Sequence, residues 1–166
     1  MRALLVPALF VAMMLSGCTG GGGLSEHVVR LGDLDGPFAY MPIGPDEREA
    51  GLTRNPGPAP VDDLDDATVL AGYVSAFVYD GGEEPVLISQ ALRFTNETAA
   101  TVFFESQGGC GGAMVIQDGP ILTTVFVLEF FAEEADLEVL HDQAHEAAHA
   151  IEVRTGGMSL CEDETH

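Results

Sequence analysis

Hydrophobic and polar residues alternate strictly in some parts of the chain and recur at helical spacing in others. From Tyr73 the period is two: YVSAFVYD, the turn GGEE and PVLISQALRF predict a β-hairpin whose β-branched and aromatic content suits a half-buried sheet. Asn96 then stands as N-cap to the helical stretch NETAATVFFES, with Ala99, Val102 and Phe103 on one face. The glycine-rich loop QGGCGG leads into AMVI, the turn QDGP and ILTTVFVLEFF. That last run is apolar on both faces, which predicts a central strand covered by a helix on at least one side. The final helix is expected over Glu134 to Val153. Leu137, Leu140, Ala144, Ala147, Ala148 and Ile151 form its apolar stripe, with His141, His145 and His149 along the shoulder and Glu146 on the opposite side.

Upstream the pattern is weaker. Phe38 to Ile43 predicts a strand between Pro37 and Gly44, and the cluster NPGPAP, Asn55 to Pro60, marks a surface connection. VDDLDDATVLAG reads as a short helix, with Asp62, Asp63, Asp65 and Asp66 where the helix dipole favours negative charge and Gly72 at its stop. No EF-hand spacing follows these carboxylates, so capping and solvation explain them better than calcium. Tight turns between strand pairs impose antiparallel pairing. The predicted fold is α+β, an antiparallel sheet of about five strands with helices packed against it, including the long C-terminal one. The strand, strand, helix unit occurs twice. In element order it resembles the small α+β domains of prokaryotic surface lipoproteins, including PsbP-like ones, a likeness that implies architecture and not activity.

The amino terminus, MRALLVPALFVAMMLSGC, carries Arg2 and an apolar run from Ala3 to Leu15. That run suits a signal peptide and falls short of the about 20 residues that a membrane span needs. LSGC resembles the lipobox of prokaryotic lipoproteins, in which cleavage precedes the cysteine and lipid is added to it. The resemblance implies a signal peptide over residues 1–17, a lipid-attached Cys18, and an extracytoplasmic, membrane-anchored protein. A secretory peptide with an incidental cysteine is the alternative. Haloarchaeal lipoproteins often carry twin arginines here; only Arg2 precedes the run, so the export route stays open. Residues 18–27, opening with the glycines after Cys18, read as a flexible tether. Residues 28–166 read as a single domain large enough for a core of its own.

Composition narrows the partners. Asp and Glu number 27 against 6 Lys plus Arg, the net charge is −21, and no lysine occurs. Such a chain repels nucleic acid and anionic lipid heads. With 46% hydrophobic residues it is not a disordered acidic tail. It resembles the proteins of extreme halophiles, in which carboxylates hold hydration in brine; a cation-sequestering surface is the competing idea.

Two motifs carry candidate chemistry. His145-Glu146-Ala147-Ala148-His149 spells HExxH, in which two histidines one helical turn apart bind zinc and the glutamate polarises water. The third ligand is the difficulty. Glu152 and Thr155 occupy the places of the extended motif's Gly and His, and His141 lies two turns from His149, about 12 Å along the axis. Only Glu162, Asp163, Glu164 and His166 follow. The expected reading is therefore ordinary helix surface without a metal, and the alternative is a zinc-dependent hydrolase using His145, Glu146 and His149.

Cys110 and Cys161 are the cysteines that remain beside a lipidated Cys18. In an exported domain the pair predicts a disulfide rather than two free thiols. Asn96-Glu97-Thr98 matches an N-glycosylation sequon that overlaps the helix cap. No Ser/His/Asp order, P-loop or basic aromatic patch accompanies these. The sequence thus predicts a non-enzymatic, membrane-anchored module, without cofactor, that binds a small ligand or an envelope protein.

Overall fold

The computed structural model describes residues 23–61, 66 and 68–161. Its fold is α+β. The strands are β1 (Phe38–Tyr40), β2 (Gly57–Ala59), β3 (Val69–Tyr79), β4 (Leu87–Phe94), β5 (Met114–Asp118), β6 (Ile121–Val127) and β7 (Met158–Ser159). The helices are α1 (Pro45–Glu49), α2 (Glu97–Ser106) and α3 (Leu137–Thr155), joined by short 3-10 turns. The order across the sheet is β1-β3-β4-β6-β5-β7, with β2 also against β3, and every ladder is antiparallel.

The sheet has seven strands rather than about five. The additions, Gly57–Ala59 and Met158–Ser159, are too short to show a period and form only because tertiary contacts bring them to an edge. Phe38–Tyr40 is also shorter than the predicted Phe38–Ile43 strand, since Pro42 lacks a ladder donor. The acidic helix is corrected where it can be seen. Val69 to Gly72 is the start of β3, and Asp62, Asp63 and Asp65 lie outside the described residues. Gly72 is a contact point and not a helix stop: a Cβ there would meet Val61 Cγ1 at 2.9 Å and the Ala59 carbonyl at 3.1 Å, so its absence lets β2 approach.

The hairpin is buried on both faces, not half-buried. The reason is that the two repeating units place their helices on opposite sides. Phe77, Leu87, Val125 and Ile116 meet α3 through Leu140, Ala144, Ala147, Ala148 and Ile151. On the other face Leu92, Phe94, Leu122 and Val115 meet α2 through Ala100 and Phe103. The predicted face of α2 was turned slightly: Ala100 is buried and Val102 is 58% exposed. The remainder of that face is covered by Met41 and Leu52, from the segment around α1.

β6 occupies an interior place in the sheet as predicted, but it ends at Val127. Glu129–Phe131 is a 3-10 turn that carries Phe130 and Phe131 to the surface. α3 starts at Leu137, behind a 3-10 turn at Glu134–Asp136, and ends at Gly156, whose φ of 78° and N–H bond to the Glu152 carbonyl form a left-handed C-cap.

The folded part begins earlier than the tether was expected to end. Leu24, Val28 and Val29 are buried, and the strap they form crosses the sheet on the α3 side. Hydroxyls from three neighbouring strands hold its backbone. Ser75 donates to the Val29 carbonyl at 2.8 Å, Ser89 accepts from the Val29 N–H at 3.1 Å, and Thr123 donates to the His27 carbonyl at 2.8 Å. From the helix side Arg154 donates to the carbonyls of Glu26 and Val28, both at 2.9 Å, and to both oxygens of Asp33.

Candidate functional site

The HEAAH residues lie on the middle turns of α3. Ala144, Ala147, Ala148 and Ile151 point into the core and fix the helix's rotation, so the three polar members of the motif fall on the outer side. His145, Glu146 and His149 are exposed. Glu146 accepts from the Gln143 amide at 3.1 Å. His149, its side chain 76% exposed, has Nδ1 3.3 Å from Glu152 Oε2. His141 Nε2 stands 3.0 Å from Glu129 Oε1, which ties the helix to the 3-10 turn after β6. Glu152 is engaged further, accepting the Ser159 N–H at 2.7 Å and so fastening β7 to the helix.

Chemically this is a row of imidazoles and carboxylates on the exposed side of the helix, several joined in local pairs. Among the described residues no group of three or more His, Cys, Asp and Glu side chains is arranged to hold a metal ion. The tail residues Glu162, Asp163, Glu164 and His166 lie outside the described residues, as does Cys18 with the signal peptide.

Cys110 and Cys161 form a disulfide, with Cα atoms 5.8 Å apart. It joins the glycine-rich loop before β5 to the strand end that follows α3. Leu160 N–H bonds to the Val115 carbonyl beside it, at 2.8 Å, so bridge and ladder hold the same edge. Asn96 caps α2 through its Oδ1, which accepts the Ala99 N–H at 2.9 Å. At the other end of the predicted acidic cluster, the Thr68 hydroxyl and then its N–H donate to Asp66 and hold that carboxyl below its usual range.

Two features escaped the sequence reading. His27 Nε2 donates to Asp118 at 2.9 Å while its Nδ1 stands 3.2 Å from the Gly23 carbonyl, pinning the strap's first turn to the β5–β6 turn. Phe130 and Phe131, 60% and 42% exposed with ring centroids 4.2 Å apart, form an aromatic pair on the surface. The first gave no signal, because a lone histidine has no spacing to read. The second was concealed inside an apolar run that read as strand.

No described helix is long and apolar enough to cross a membrane. Compared with protein-family models, with curated proteins and with solved structures, the chain matches none.

Proposed function

We propose that the chain is an extracytoplasmic lipoprotein, anchored by lipid on Cys18, whose α+β domain is a non-enzymatic binding or envelope-interaction module adapted to high salt. The observation that carries this reading is the order Arg2, apolar run, LSGC and glycine tether, placed directly before a folded domain. The disulfide supports it, because such bonds persist in oxidising, extracytoplasmic compartments. So does the strap: the residues that follow the tether are locked to three strands and to α3, an arrangement suited to a domain held by its amino terminus.

The partner on this reading is the membrane, through lipid, together with a small ligand or an envelope protein; nucleic acid is disfavoured by the charge of −21. The alternative, a zinc hydrolase built on His145, Glu146 and His149, draws less support. Glu146 is bonded to Gln143 of its own helix, His149 Nδ1 stands beside Glu152, and among the described residues no group of three or more candidate ligands is arranged to hold a metal ion. Mass spectrometry of the mature chain tests the proposal. The expected product begins at Cys18 and carries acyl mass on that residue; an unmodified Cys18, or a product beginning elsewhere, would contradict it.

A further inference from the structure

The chain has two asparagines, and the structure treats their amides in opposite ways. Asn55 spends its whole amide on the fold: Nδ2 donates to the carbonyls of Met41 at 2.8 Å and Ala76 at 2.7 Å, and Oδ1 accepts the Ala76 N–H at 3.0 Å. Pro56 follows it, so it is no sequon. Asn96 spends only its oxygen, as the cap of α2. Among the described residues its Nδ2 has one long contact, 3.4 Å to the Thr95 hydroxyl. Thr95, Asn96, Glu97 and Thr98 are all exposed, so the complete sequon is at the surface.

We infer that Asn96 is an N-glycosylation site, taking a saccharide on Nδ2 from a polyisoprenyl-phosphate-linked donor. In that transfer a bond forms between Nδ2 and the anomeric carbon. The anomeric C–O bond to the carrier phosphate breaks, the phosphate leaves with the electron pair, and one Nδ2 proton passes to a base of the transferase. No electrons change hands. Oδ1 stays an acceptor in the product, so the sugar and the helix cap are compatible.

The inference rests on the export part of the reading above, and it also gives the sugar a position. Phe94 N–H bonds to the Pro120 carbonyl and Thr95 N–H to the Thr68 carbonyl, so the sequon lies at the end of the sheet where β3 begins and the β5–β6 turn closes. The strap's origin is at the same end: a Cβ on Gly23 would stand 3.3 Å from the Arg93 guanidinium. Gly23 follows Cys18 by five residues, a reach of at most about 18 Å in extended chain. A glycan on Asn96 therefore shares an end of the domain with Gly23, and on the anchored reading that end faces the lipid surface.

The test is the intact mass and peptide map of the full chain, expressed with its signal sequence in a host that attaches N-linked sugars to its envelope proteins. Thr98→Ala is the main variant, because it breaks the sequon and leaves the Asn96 cap in place; Thr98→Ser keeps both. The expected result is a glycan mass on the peptide containing Asn96 in the parent and in Thr98→Ser, and its complete loss in Thr98→Ala. Membrane fractionation is read on the same cells. A chain that reaches the envelope carrying acyl mass on Cys18 but no sugar on Asn96 would overturn this inference alone. A chain retained in the cytoplasm would overturn both it and the anchored reading.

Discussion

Arg154 donates four hydrogen bonds to the strap, two to main-chain carbonyls and two to Asp33, whose carboxylate also accepts the Arg30 N–H at 2.8 Å. Removing the guanidinium leaves a largely buried carboxylate without its cation and two carbonyls without donors. Arg154→Met is expected to lower unfolding free energy by about 2 to 4 kcal/mol. Denaturant titration measures it, and a change below about 0.5 kcal/mol, the level of an ordinary surface substitution, would contradict the strap's role. The motif residues are expected to behave oppositely. Glu146→Gln, and His145 with His149 both changed to Gln, should each leave the fold within about 1 kcal/mol of the parent, since exposed helix positions bury little area. Elemental analysis of the purified chain belongs with this experiment. Stoichiometric zinc that survives dialysis, with peptide hydrolysis abolished by Glu146→Gln, would replace the non-enzymatic reading with the hydrolase.

Elements with a long period were legible in the sequence. The β3–β4 hairpin, the central place of β6 and the buried stripe of α3 follow from runs of apolar residues at strand or helical spacing, and the Asn96 cap follows from its place just before a helical stretch. The strap did not follow from spacing. Leu24 to Val29 has no period, and its burial depends on Ser75, Ser89 and Thr123, which look along their strands like ordinary polar alternation. Of the candidate site, the outward face of the HEAAH residues was legible from helix geometry, whereas Glu129 as the partner of His141 was not, because that residue was assigned to a strand. The element held least by its own sequence is β7, which the disulfide fastens together with the ladder to β5 and the Ser159–Glu152 bond. The disulfide's loop of about 50 residues corresponds to about 4 kcal/mol in the chain-entropy model. Changing Cys110 and Cys161 together to Ser is expected to lower the thermal midpoint by several degrees, and first to release amide protection at Ser159 and Leu160. Unchanged exchange at those amides would show that the ladder holds β7 without the bridge.

At the scale of the whole molecule, a net charge of −21 with no lysine makes salt part of the folding problem. Self-repulsion among the carboxylates opposes compaction, and screening relieves it as the Debye length falls from about 10 Å at 0.1 M salt to about 3 Å at 1 M. The thermal midpoint is expected to climb with KCl or NaCl over this range, and a midpoint that does not move would mean the acidity serves another purpose. The anchor is the central claim, and fractionating cells that express the chain and its Cys18→Ser variant tests it most directly. The parent is expected in the membrane fraction and extractable by detergent, with the variant either released to the medium or accumulating with its signal peptide uncut. A variant whose signal peptide is cut and that stays attached to the membrane like the parent would contradict the account.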